Sequence, residues 1–186
     1  LIRPSKKSPN IPKNFPLNMA VTSLNDEKGL RAAMKDVDSI YHLASAESLG
    51  RKADLSEVDI RGTQTLINAA SGANIKRIFY LSHLGADRAS AYPLLKAKGI
   101  AEHAIKNSSI PYTIIRSAIV YGKNDHFSNG LAFLVKTSPY FVMLPNEGKT
   151  LMQPIWVEDL ARVLAWSLDM PETINKTVKL GGPEYL

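Results

Sequence analysis

Short apolar runs alternate with longer segments of helical periodicity through the middle of this chain of 186 residues. The apolar runs are predicted as strands at 37–43, 77–82 and 112–116. Helices are predicted at 26–35, with Asn25 as the N-cap, at 55–71 and at 92–107. Alternation of this kind favours a parallel sheet with helices on both faces. An uninterrupted run such as IFYL is typical of a strand that is covered on both sides.

The last third of the chain is less regular, with predicted helices at 128–137 and 157–169 and a strand at 176–180. We therefore predict a doubly wound α/β fold with a small, irregular C-terminal portion. Residues 1–122 form the core in this interpretation, and residues 123–186 are interleaved with its last elements in one continuous domain.

The glycines do not form the motif that usually opens such a fold. Doubly wound dinucleotide-binding folds begin with a strand, a glycine-rich turn and a helix whose N-terminus binds the pyrophosphate. The 11 glycines of this chain are scattered, and G-x-G-x-x-G does not occur. Because the opening strand sits at the centre of the sheet, its absence predicts two halves that face a gap, each with an unpaired edge. We expect an N-terminally truncated fragment; the alternative is a complete small α/β domain with a rearranged sheet.

Composition excludes several function classes. There is no run of 18 apolar residues and no visible leader, so we expect no membrane contact and a cytoplasmic location. With no cysteine, disulfides and thiolate chemistry are excluded. Residues 1–25 carry four of the six net positive charges, and no basic stripe with interleaved aromatic residues suggests nucleic acid. Asn124, Asp125 and His126 lack metal-ligand spacing and are predicted as a loop, and no metal site is expected.

Several segments resemble one protein family in their order and spacing. They are LIRPSKK (1–7), VDSIYHLAS (37–45), DIRGTQTLINAA (59–70), KRIFYLSHLGA (76–86), YPLLKAKGIAE (92–102), PYTIIRSAIVYG (111–122) and QPIWVEDLARVL (153–164). Together they resemble the atypical and extended short-chain dehydrogenases/reductases, in particular the NmrA-like NAD(P)-binding branch. The resemblance implies that 1–122 are a partial Rossmann-type core that binds NAD(P). It also implies that the C-terminal portion, 123–186, is a substrate-side lobe that binds the substrate.

Tyr92 and Lys96 form Y-x-x-x-K at the start of a predicted helix. Four residues apart on a helix, the two side chains would share one face, and an ammonium near a phenol lowers its pKa. The resemblance implies that the Tyr92 phenol exchanges a proton with the substrate, while Lys96 also binds the nicotinamide ribose. Ser82, which ends a strand, is the candidate third catalytic residue and would orient the substrate oxygen. It lies only ten residues before Tyr92, so Ser90 is an alternative.

Arg3 follows the end of an apparent strand, where a dinucleotide fold holds the adenosine ribose. An arginine at that place accommodates a 2′-phosphate. Arg3, together with Lys6 or Lys7, therefore favours NADPH (NADP) over NAD as cofactor and explains the basic start of the chain.

Small residues follow the strand that contains His42. Leu43, Ala44 and Ser45 lie at its carboxyl end, which lines the ligand crevice in such folds, so they are candidate cofactor-binding residues. His42 itself is predicted to be a hydrogen-bonded structural residue.

The segment after the strand at 112–116 is a further candidate. The resemblance places backbone beside the nicotinamide there and implies cofactor contacts by Ala118 and Ile119. We assign no chemistry to Ser117.

Three functions remain open at this point. The first is an NAD(P)H-dependent oxidoreductase that transfers hydride to a carbonyl or quinone-like small-molecule substrate. The second is a non-catalytic NAD(P)-binding redox sensor, regulator or assembly subunit. The third, which the resemblance also permits, is a sugar-nucleotide epimerase. Neither the substrate nor the oligomeric state can be derived from the sequence.

Overall fold

The structure is a computed structural model that describes residues 1–2, 16–123, 125–138 and 149–185. The strands are β1 (Ser39–His42), β2 (Arg77–His83), β3 (Tyr112–Ser117), β4 (Val120–Tyr121), β5 (Ile155–Trp156) and β6 (Lys176–Leu180). The α-helices are α1 (Glu27–Ala33), α2 (Gly62–Ser71), α3 (Pro93–Lys106), α4 (His126–Thr137) and α5 (Val157–Trp166). A π-helical turn (Ser56–Arg61) precedes α2, and short 3₁₀ turns lie at Glu47–Lys52, Ser167–Asp169 and Pro171–Thr173.

Four strands form one parallel sheet in the order β1-β2-β3-β6. The central strand β2 has Ile78 and Phe79 fully buried, as expected for a parallel strand with both faces covered. β4 and β5 form a separate parallel pair that the sequence pattern did not predict, because each strand has only two residues.

Helices cover both faces of the sheet. On one face, Tyr80 and Ile114 pack with Ile67 of α2 and with Ala101 and Ile105 of α3. On the other face, the next residue of β3, Ile115, packs against α5 through Leu160 and Leu164. Adjacent strand residues point to opposite faces, so this division follows directly from the period of two. The predicted doubly wound α/β fold is confirmed.

The boundaries of α1 and α4 differ from the prediction. Helix α1 has Asp26, not Asn25, as its N-cap, and the Asp26 carboxylate accepts a hydrogen bond from Gly29 N at 3.0 Å. Helix α4 starts within the predicted loop, because Asp125 caps it by accepting a hydrogen bond from Ser128 N at 2.6 Å. Asn124 lies outside the described residues.

A cavity lies beside β1. Within the described residues, β1 pairs with β2 only, whereas Ile2 pairs in parallel with Val21 apart from the sheet. The cavity has a volume of about 630 Å³, and its lining includes Leu1, Ala20 and residues of β1. That an upstream strand belongs between the two parts of the sheet stays a prediction.

The last strand of the sheet lies beyond residue 122. β6 pairs with β3, with Ser117 opposite Leu180. The division of the chain at residue 122 and the role of 123–186 in substrate binding stay predictions. None of the helices in the described parts of the chain is long and apolar enough to cross a membrane.

Gly99 lets the backbone that follows β2 lie directly on α3. A Cβ atom at residue 99 would come within 2.6 Å of Arg88 N and 2.8 Å of Asp87 Cα. We expect Gly99→Ala to lower the free energy of unfolding by about 1–3 kcal/mol, because the loop must move away. Urea denaturation measures the change.

Gly130 in α4 is the matched control. A Cβ atom there would meet nothing within 4 Å, so Gly130→Ala should raise the free energy of unfolding by up to about 1 kcal/mol through helix propensity. Equal stabilisation by both substitutions would contradict the packing argument.

Candidate functional site

The residues that follow β1 border the cavity described above. Leu43 and Ala44 are exposed and Ser45 is half-buried, and all three line the cavity together with β1. Because β1 ends at His42, the segment 43–45 has no strand partner among the residues that the structure describes, and it borders the cavity. This is the place that the sequence predicted for cofactor contacts, and the small side chains at 44 and 45 allow a ligand to approach the backbone closely.

Two acidic residues hold this segment in place. The backbone N–H of Ala46 donates to Asp59 Oδ2 at 3.0 Å, in a buried contact. At the rim, the His83 imidazole hydrogen-bonds to Glu47 Oε2 at 2.8 Å. That hydrogen bond lowers the pKa of the Glu47 carboxyl. No local sequence pattern marks Asp59, Glu47 or His83 as part of this site, because the contacts join residues 13 and 36 positions apart.

His42 is structural, as predicted. Its Nε2 lies 2.9 Å from Thr63 Oγ1, and the Thr63 hydroxyl donates its one proton to the carbonyl of Asp59. His42 must therefore donate from Nε2. Burial, with the nearby Lys98 ammonium, lowers the pKa of His42 to about 4.

Ser82 belongs to a buried cluster of charges. It is fully buried, and its hydroxyl donates to Glu102 Oε1 at 2.7 Å. Arg116 binds the same carboxylate through two hydrogen bonds of 2.8 and 2.7 Å. Burial by itself raises the pKa of Glu102, but the hydrogen bonds from Arg116 and Ser82 outweigh it, so the pKa lies below its ordinary value. The carboxylate is therefore charged. The Ser82 hydroxyl donates its only proton to this carboxylate, so it has no proton left to donate to a ligand.

Tyr92 and Lys96 are exposed, whereas Ser82 is buried. Tyr92 is 71% exposed and has an extended backbone as the N-cap of α3, so it precedes the first helical turn. Lys96 is also exposed, and its backbone N–H donates to the Tyr92 carbonyl at 2.9 Å. Across the described residues, no hydrogen bond joins the Tyr92 phenol to Lys96 or Ser82. The catalytic roles of these residues stay predictions.

The lysine of α3 that faces the sheet is Lys98. It is 3% exposed, its Nζ lies 3.2 Å from Asp59 Oδ1, and it also reaches the Leu81 carbonyl at 3.5 Å. The residue four positions before it is Leu94, so the buried face of α3 offers no tyrosine at that spacing. Ser90, the alternative to Ser82, accepts a hydrogen bond from Tyr92 N at 3.2 Å and shapes the turn before α3.

Ala118 and Ile119 lie between β3 and β4. The N–H of Ala118 donates to the Leu180 carbonyl at 2.8 Å, and the carbonyl of Ile119 accepts from Ile155 N at 2.9 Å. These bonds connect β6 and β5 to the segment predicted to lie beside the nicotinamide. Their contact with a cofactor stays a prediction.

The remaining predicted residues lie outside the described parts of the chain. They are Arg3, Lys6 and Lys7. Among the residues that the structure does describe, no group of three or more histidine, aspartate or glutamate side chains could hold a metal ion.

The chain is similar to subunits and assembly factors of large complexes. It is 30% identical over 161 residues to the NADH dehydrogenase [ubiquinone] 1 alpha subcomplex subunit 9, mitochondrial, of Arabidopsis thaliana, covering 86% of this chain and 40% of that protein. It is 31% identical over 130 residues to the photosystem II assembly factor Ycf39 of Trieres chinensis, covering 69% of this chain and 39% of that protein. The chain thus spans about two fifths of the length of these relatives.

The fold is similar to that of solved Rossmann-type structures. A short-chain dehydrogenase/reductase superfamily protein from Agrobacterium tumefaciens, solved with bound NAD, matches with a TM-score of 0.76 at 19% identity. The match covers 95% of this chain and 69% of that chain. A family model described as NAD(P)H-binding matches residues 1–171. The chain therefore belongs to the NAD(P)H-binding family and has the Rossmann-type fold of the short-chain dehydrogenases/reductases.

Proposed function

We propose that this protein binds NADPH as a non-catalytic subunit or assembly factor and transfers no hydride itself. The observation that carries the proposal is the position of the predicted acid–base residues. The Ser82 hydroxyl donates to the buried Glu102 carboxylate, whereas Tyr92 lies in solvent at the start of α3. Reduction of a carbonyl needs a proton donor within hydrogen-bond reach of the substrate oxygen. The engagement of Ser82 with Glu102 and the exposure of Tyr92 support a role without proton transfer.

The residues beside the cavity fit a dinucleotide that is bound but takes part in no hydride transfer. Leu43, Ala44 and Ser45 would hold it through open backbone and small side chains at the carboxyl end of β1. The nicotinamide would supply hydride to an acceptor only if an acid were positioned beside that acceptor. The lysine that faces the sheet, Lys98, is instead paired with Asp59.

The relatives support a protein partner. One is a subunit of an NADH dehydrogenase and another is a photosystem II assembly factor. We propose that this chain likewise acts through association with another protein, with dinucleotide binding as the stabilising or signalling event. Because the chain covers only about two fifths of these relatives, neither their activity nor their partners are assigned to it.

Cofactor preference and location are further parts of the proposal. We propose NADPH over NADH, because Arg3 follows Ile2 at the position expected to meet a 2′-phosphate. A cytoplasmic location is proposed from the absence of cysteine, which gives no sign of an oxidising compartment.

Titration with each dinucleotide, followed by a turnover assay, tests the function. We expect saturable NADPH binding by fluorescence, weaker NADH binding, and no NADPH consumption with a panel of quinones, aldehydes and sugar nucleotides. Tight binding of NADH with little affinity for NADPH would contradict the cofactor assignment.

Two outcomes would favour the alternative functions, an oxidoreductase or a sugar-nucleotide epimerase. NADPH consumption that Tyr92→Phe abolishes would establish the oxidoreductase and place Tyr92 in the mechanism. NAD that stays bound through purification, together with interconversion of a sugar nucleotide, would establish an epimerase.

A further inference from the structure

A buried ion pair lies directly beneath the segment that borders the cavity. Asp59 is 1% exposed, and its Oδ1 lies 3.2 Å from Lys98 Nζ. Oδ1 makes no directed hydrogen bond among the described residues, so this contact is an ion pair. Removing two charges from water is expensive, and apolar residues of similar volume would often stabilise the fold as well. The pair therefore calls for a role beyond packing.

The second carboxylate oxygen of Asp59 binds the backbone next to the segment 43–45. Asp59 Oδ2 accepts the backbone N–H of Ala46 at 3.0 Å. Ala46 is buried and follows Leu43, Ala44 and Ser45 immediately, so its position determines where this exposed segment turns inward. A charged acceptor makes this hydrogen bond shorter and about twice as strong as a neutral one.

Lys98 holds the Asp59 carboxylate in place. Its ammonium lies 5.3 Å from the centre of the Tyr80 ring and reaches the Leu81 carbonyl at 3.5 Å, so its own position is fixed by β2. Without Lys98, Asp59 would be an unpaired buried carboxylate, which would turn toward water. That movement weakens its hydrogen bond to Ala46 N.

We propose that Lys98 and Asp59 are positioning residues for the bound dinucleotide. Lys98 does not touch the ligand; it fixes Asp59, which fixes Ala46, which fixes the backbone of 43–45 against the ligand. This inference depends on the dinucleotide binding proposed above. It differs from a direct contact between the lysine and the ribose, and the two can be separated by experiment.

The test uses Lys98→Met, Asp59→Leu and the double variant Asp59→Asn/Lys98→Met in the full chain. NADPH affinity is measured by fluorescence titration, and exchange of the Ala46 amide is measured by NMR. We expect each single variant to weaken binding on the order of tenfold or more, because the segment is displaced. The double variant should regain most of the affinity, because a neutral amide still accepts from Ala46 and needs no cation.

Lys76→Met is the matched control, since Lys76 makes an exposed ion pair with Asp38 at the other end of β2. It should leave both readouts unchanged. Equal loss of affinity in Lys98→Met and in the double variant would overturn the inference in favour of direct contact. Unchanged exchange of the Ala46 amide in Lys98→Met would also overturn it. Failure of the unmodified chain to bind any dinucleotide would instead overturn the proposed function, and amide exchange would still decide the positioning role.

Discussion

Replacement of Glu102 by alanine is expected to lower the free energy of unfolding by about 3–5 kcal/mol. The carboxylate is buried and accepts hydrogen bonds from Arg116 and Ser82. Removing it leaves the Arg116 guanidinium without its partner in a largely buried place and the Ser82 hydroxyl without an acceptor. Removal of one member of a buried pair costs more than the pair contributes, because the remaining charge stays desolvated. Urea denaturation at neutral pH measures the loss.

The same substitution should change the pH dependence of stability. The pKa of Glu102 in the folded chain is below its ordinary value of 4.5, so the carboxylate stabilises the fold fully above that value. This contribution is lost as the pH falls through the lower pKa of the folded state. The difference in stability between the unmodified chain and Glu102→Ala should therefore shrink below about pH 4.5.

Glu158→Ala is the control for this prediction. Glu158 lies on α5 with most of its side chain exposed, and its nearest cation, Arg162, is 3.9 Å away. It should change the free energy of unfolding by less than about 0.5 kcal/mol. A loss at Glu102 no larger than the loss at Glu158 would show that the buried cluster is not a stabilising unit.

The fold followed from local periodicity, whereas the site depends on contacts between distant residues. The alternation of apolar runs and helical segments is a local property, and it correctly located β2, β3, β6 and the helices. The Ser82–Glu102–Arg116 cluster depends on the pairing of Ser82 with Arg116 across β2 and β3, a register that no local pattern contains. The prediction of a catalytic Ser82 rests on its place at a strand end and on the family resemblance, and neither of these reveals its hydrogen bond to Glu102.

The burial of Lys98 on α3 could have been predicted, because the apolar residues of the helix indicate which face is buried. Ala97, Ala101 and Ile105 recur every four residues and mark the buried face of the helix. Lys98 lies next to this line, whereas Lys96 lies away from it. The Y-x-x-x-K spacing selected Lys96 without reference to the apolar face. It also assumed that Tyr92 is helical, although α3 begins at Pro93. Spacing alone shows which residues share a face, but only the apolar residues show which face is buried.

Arg77→Met is the second substitution with a large expected effect, a loss of about 3–5 kcal/mol in the free energy of unfolding. Arg77 is 5% exposed at the start of β2, and it donates to Thr113 Oγ1 at 2.9 Å and to the Ser167 carbonyl at 3.0 Å. It also donates to the Met170 carbonyl at 3.1 Å. Methionine fills similar space but donates nothing, so buried carbonyls beyond the end of α5 lose their partner.

The loss should be concentrated where α5 meets the sheet. The carbonyls that Arg77 binds follow the C-terminus of α5, where a positive charge also stabilises the helix dipole. Amide exchange in 167–173 should therefore quicken more than in β3, in addition to the loss measured by urea denaturation. Arg162→Met, on the exposed face of α5, is the matched control and should cost less than about 1 kcal/mol. Arg77→Met could instead lower the free energy of unfolding no more than this control does. The attachment of α5 to the sheet would then depend only on the apolar contacts of Ile115 with Leu160 and Leu164.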